Sequence, residues 1–197
     1  MSKSDPSASK KERNKTIRWV VTVFFATILI SGTISFVSDE IMENSSTFVA
    51  FLILLLIVFL GIISDLIGVA VTSADEKPFH SMAARKVPGG AEVIRLLRNA
   101  ERVSSICNDV IGDICGVVSG SASATIAAQV LQNFDGSMGD LVYLLMSALV
   151  AALTVGGKAI GKSLALNSCT QILTLVGRVI YFLSHIPQLF QKKNHDS

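Results

Sequence analysis

The stretch SICNDVIGDICGVVSGSASATIAAQVL, from Ser105 to Leu131, decides how the chain folds. It exceeds the ~20 residues that a helix needs to cross a bilayer, and it holds no Lys or Arg. It is nonetheless wrong for a helix that faces lipid on every side. Asn108, Asp109 and Asp113 lie in its first half. Gly112, Gly116 and Gly120 follow at four-residue spacing, continued by Ala124 and Ala128. Such a small-residue ladder lets another helix approach backbone to backbone, within the chain or from a second copy. Asp109 and Asp113 are one turn apart and share a face. An ionisable side chain inside a membrane is costly and marks a functional-site candidate. A tightly packed bundle with a structural polar cluster would carry the same residues.

The rest of the chain agrees with a membrane reading. Half of the 197 residues are hydrophobic and 16% are charged, against ~25% charged in an ordinary soluble domain. Mean hydropathy is +0.56, and the apolar residues come in blocks of bilayer length. The expected class is therefore all-α: a multi-pass membrane protein with one membrane domain over 16–186. Cys107, Cys115 and Cys169 have no metal-type spacing and read as small packing residues.

Residues 1–15 are polar and rich in Ser and Lys, and read as a disordered basic tail. Residues 16–37 form the first span. A signal peptide also pairs a basic start with an apolar run, but this run is longer and ends in no convincing cleavage site. An acidic loop, SDEIMENSST, covers 38–47 and contains a glycosylation-type sequon at Asn44. The second span, 48–73, begins greasy and changes to Gly61, Ser64, Asp65, Gly68, Thr72 and Ser73. A helix that ends small and polar is entering a protein interior or a wetted cavity.

Pro78 and the Pro88-Gly89-Gly90 turn then cut a charged elbow, 78–103, into two short helices. The second places Val93, Leu96, Leu97, Ala100 and Val103 on one face and Arg95, Arg98, Asn99 and Arg102 towards the other. Such an amphipathic helix suits a membrane surface, or equally a protein partner. After the central span and a turn at 132–140 comes a fourth span, 141–160. It has its own ladder of Ala148, Ala152 and Gly156, with Lys158 near its end. Residues 164–186 are apolar but hold Asn167, Gln171 and Arg178, and residues 187–197 are a polar tail.

Charge sets the orientation. With four spans and the N-terminus inside, all 17 Lys and Arg residues fall at the inner face or the inner end of a span. The two outer loops carry Asp39, Glu40, Glu43, Asp135 and Asp140 with no basic residue. This obeys the positive-inside rule, with both termini cytoplasmic at the cell membrane. A fifth crossing would put Lys192 and Lys193 outside, so 164–186 is expected as an interfacial helix with Arg178 snorkelling.

Residues 156–163, GGKAIGKS, fit the phosphate-loop pattern. That chemistry needs a loop between a strand and a helix, and here a run of membrane-helix length precedes it. Nucleotide binding is not expected, nor a nucleic-acid partner. His80, His185 and His195 are scattered, and no nucleophile–base pair or soluble metal cluster points to an enzyme.

From about Leu55 to Ile186 the chain resembles the membrane domain of the cyclin M and CorC-type magnesium and cobalt transporters, once called domain of unknown function 21. Ala70-Val71-Thr72-Ser73 is similar to the Ala-Leu-Thr-Ser that ends the family's first helix. Asn99-Ala100-Glu101-Arg102 is similar to Asn-Pro-Glu-Arg before its second. The run from Gly157 to Ala165 is similar to Gly-Glu-Ile-Leu-Pro-Lys-Ser-Leu-Ala after its third. The resemblance implies a homodimer with cytoplasmic juxtamembrane helices, no cofactor beyond a handled magnesium ion, and a cation site. Asp65, Asp109 and Asp113 are the candidate metal ligands, with Asn108 beside them. Lys158 stands where the family has Glu, and the paired nucleotide-sensing domains do not follow.

Two functions are weighed, and the resemblance makes the first the expected one and the second its alternative. One is divalent-cation transport or homeostasis through a carboxylate site, since carboxylates suit hard cations. The other is a non-transporting structural or regulatory protein in which a Lys158–Asp bridge replaces the ion. Counting ~1.5 Å per residue, Asp65, Asp109, Asp113 and Lys158 lie at similar depth. A lone charge there is costly, so Lys158 is expected to contact at least one of the three aspartates.

Overall fold

The computed structural model describes residues 6–43, 45–131 and 138–193, which are helical almost throughout, with no strand among them. Four segments are long and apolar enough to cross a membrane: Thr16–Met42, Thr47–Ser73, Ala100–Leu131 and Leu141–His185. The protein is an all-α, multi-pass membrane bundle.

Helix α1 spans Pro6–Glu43. It starts inside the stretch expected to be a disordered tail. Proline suits a first helical turn, and adding turns to an existing helix needs no new nucleus. The same helix continues through most of the expected acidic loop, leaving Ser45 and Ser46 outside helix among the described residues there. Asn44, the acceptor of the sequon, and residues 132–137, most of the second turn, lie outside the described residues. Along α1, Phe24, Leu29 and Phe36 are exposed, as a lipid-facing helix requires.

Helix α2 (Thr47–Ser73) is the hub, touching every other long helix and the elbow. Its N-terminal half joins Met42, Ala122, Ile126 and Val150 in one apolar cluster through Ala50, Leu54 and Val58. Its C-terminal half is narrower. Gly61, Ser64, Asp65 and Gly68 are all buried, and their spacing makes one stripe.

The elbow contains α3 (Lys77–Ala84), α4 (Gly90–Leu97) and α5 (Ala100–Ser105). The expected single helix over its second half breaks at Asn99, whose φ and ψ are −118° and 29°. The Asn99 side-chain amide donates to the Arg95 carbonyl at 3.0 Å, satisfying an end group of α4. Phe79, Val93 and Leu97 pack with Val71, Ala165 and Leu173, anchoring the elbow beneath the bundle. Gly89 has φ +94°, and a Cβ there would stand 2.6 Å from the Arg178 amide nitrogen. Both the turn and the close approach of the last helix require glycine.

The central span is not one α-helix. Ile106–Gly112 is a π-helical segment, and α6 (Asp113–Leu131) follows it. The final helix, α7 (Met138–Lys193), bends at Ser168, where φ is −132° and ψ 26°. The helix of the expected fourth span runs on past Ile160 as far as the bend. Gly157 and Gly161 stay helical because Ile62 of α2 lies against both, packing that outweighs glycine's weak helix propensity. The second limb lies over α4, with Gly177 against Gly89 and Val93, and continues through the expected polar tail as far as Lys193.

Candidate functional site

The site lies where α2 meets the π segment. A glycine at 68 admits the Asn108 side chain, and a glycine at 112 admits Asp65; a Cβ at either would collide with that neighbour. The Ser64 hydroxyl donates to the Cys107 carbonyl at 2.8 Å. The Lys158 ammonium, brought in by α7, donates to the Gly112 carbonyl at 3.0 Å and stands 3.4 Å from Asp65 Oδ2. The two accepting carbonyls belong to the second and last residues of the π segment. Such wide turns interrupt the regular helical ladder and recur at functional sites.

The pair is well inside the protein. The Lys158 side chain is 19% exposed and that of Asp65 5%. Asp65 Oδ1 and Asn108 Oδ1 are buried with no hydrogen-bond partner. The Asn108 amide nitrogen donates to Ser104 Oγ at 3.1 Å. The cluster therefore presents one fixed positive charge, one carboxylate and two unpartnered oxygens.

Asp109 and Asp113 do not join it. Both are exposed, and Asp109 accepts from Ser105 Oγ at 2.8 Å. The reason is angular: Asn108 and Gly112 face α2, and one residue further on turns a side chain ~100° away. The expected three-aspartate metal set is thus not assembled within the chain. Among the described residues no group of three or more His, Cys, Asp or Glu side chains could hold a metal ion.

The two ladders also behave differently from expectation. Gly112 packs on α2, but a Cβ at Gly116, Gly120 or Gly156 would meet nothing within 4 Å. Ala148 and Ala152 are exposed. The in-chain packing of α6 uses Ile114, Val118, Ala122, Ile126 and Ala127 instead. A groove of about 340 Å³ runs beside the open face, lined in part by Gly116, Ser119, Gly120, Ser123, Ser147 and Thr154. The phosphate-loop look-alike, 156–163, is continuous helix within α7, so its backbone amides are not arranged as a phosphate cradle. Sequence reasoning singled out Lys158, Asp65 and Asn108 but not the Gly112 carbonyl. A carbonyl leaves no signal in a side-chain pattern.

No family description, curated protein or solved structure matches this chain.

Proposed function

We propose that the chain is a non-transporting membrane protein, structural or regulatory, that carries its own internal cation. The observation that carries this reading is the Lys158 ammonium held between the Gly112 carbonyl and the Asp65 carboxylate. A transporter of hard cations needs oxygen ligands that exchange with water. Here a tethered ammonium takes the most buried carboxylate, at the place where the resemblance to CorC-type domains leads one to look for the ion. Purified protein in magnesium-loaded liposomes tests this directly. The expected result is a magnesium flux equal to that of protein-free liposomes; a flux that scales with protein content contradicts it.

Divalent-cation transport is the second reading, and a separate observation favours it. Asp65 Oδ1 and Asn108 Oδ1 are buried acceptors without donors, and burying an unpaired polar atom is costly. A magnesium or cobalt ion entering beside them would use both, provided Lys158 withdrew. The liposome flux separates the two readings.

The assembly belongs to the same proposal. Asp113 and the polar groove beside Gly116 and Gly120 are exposed in a lone copy, and polar groups within a span rarely face lipid. A second copy of the chain covers them, giving a homodimer closed over α6. The orientation, with both termini cytoplasmic, follows from the confinement of basic residues to one side. In a cysteine-free background, a single cysteine at Ser45 should react with an impermeant reagent on intact cells and one at Ser81 should not. Reaction at Ser81 would reverse the orientation.

A further inference from the structure

We propose that Arg98 and Arg102 of the elbow, together with Trp19 of α1, bind the phosphate of an anionic phospholipid. A hollow of about 270 Å³ is lined by Thr16, Trp19, Glu101, Arg102 and Ser105. It adjoins a second, of about 460 Å³, to which Arg98 and Asn99 contribute and which shares Glu101 and Arg102. The Arg102 guanidinium lies over the Trp19 ring, 5.9 Å from its centroid. That stacking holds the cation in place while leaving its N–H edge free. Neither Arg98 nor Arg102 forms an ion pair with a carboxylate among the described residues. Guanidinium groups bind phosphate oxygens in pairs with good geometry.

Position selects a lipid over a soluble phosphate. The hollow opens at the end of the bundle where α2 stops and the elbow begins. A tryptophan there is at home in the headgroup layer. Ile17, Val20 and Ile106, sequence neighbours of the lining residues, are exposed. They give the surface around the hollow the apolar character that acyl chains need. The proposal does not depend on the function assigned to Lys158.

Protein reconstituted in phosphatidylcholine with and without phosphatidylglycerol, then stripped of bulk lipid, tests it by the lipid that remains bound. Phosphatidylglycerol should be enriched on the wild type. Arg102→Gln should lower the enrichment by about fivefold, and Arg98→Gln/Arg102→Gln further, as one basic residue near a lipid surface implies. Glu101→Gln should raise it, because it removes a carboxylate that repels the phosphate. That gain keeps the test decisive even where Arg102→Gln folds poorly. Arg178→Gln, an exposed arginine elsewhere on the same bundle, should change nothing. Equal loss in Arg178→Gln would show diffuse attraction and overturn the site. Displacement of the lipid by inorganic phosphate or glycerol phosphate would overturn the lipid assignment.

Discussion

Replacing Lys158 by Met should be among the most damaging single substitutions in this protein. It leaves Asp65, 5% exposed, without its counter-charge. Breaking a buried ion pair from one side costs about 3–5 kcal/mol, because the remaining charge is neither paired nor hydrated. Removing both charges should be far milder, so Lys158→Met/Asp65→Leu should recover most of the loss. The Gly112 carbonyl loses its donor in either variant and keeps the recovery incomplete. Unfolding followed in detergent checks this. A Lys158→Met protein within about 0.5 kcal/mol of wild type, the range of ordinary surface substitutions, would mean that the lysine hydrates freely at the membrane face.

The second large effect separates fold from assembly. Gly112→Ala should damage the folded chain, because a Cβ there collides with the Asp65 carboxylate. Overpacking alone costs about 1–3 kcal/mol, and moving Asp65 also disturbs its pair with Lys158. Gly116→Leu, one turn away, should leave the chain folded, since a Cβ at Gly116 meets nothing within 4 Å. Its bulk would instead block a second copy. Unfolding and cross-linking measured on both variants decide the matter. The expected pattern is a destabilised Gly112→Ala that still associates where it folds, and a stable Gly116→Leu that runs as a monomer. Identical behaviour of the two would remove the distinction between the faces of this helix.

The bundle was largely legible from composition. Blocks of Leu, Ile, Val and Phe announce helices of bilayer length, and the four candidate spans begin close to where those blocks do. The ends were harder. Polar residues such as Ser38, Asp39 and Glu40 read as a loop, yet a long helix simply runs through them. The same holds for Gly161-Lys162-Ser163, where contact with Ile62, invisible in a one-dimensional pattern, keeps α7 helical. The site was legible in part. A depth count placed Lys158 level with Asp65, and the two meet. The count could not place Asp109 and Asp113 around the helix, because depth fixes height and not angle. The π segment, which presents Asn108 and Gly112 to α2, has no clear sequence signature. It depends on which carbonyls find side-chain donors, here Ser64 and Lys158.

The claim that Lys158 is the resident cation is tested most directly by the effect of magnesium on stability, measured on the wild type and Lys158→Met together. The wild type should unfold at the same point with and without magnesium, because the ammonium already holds Asp65. Lys158→Met should unfold early, and magnesium should restore part of the loss by taking the carboxylate that the lysine has left, together with the unpartnered oxygens of Asp65 and Asn108. The opposite pattern, a wild type stabilised by magnesium beside an unresponsive Lys158→Met, would contradict the account and return the site to a transported ion.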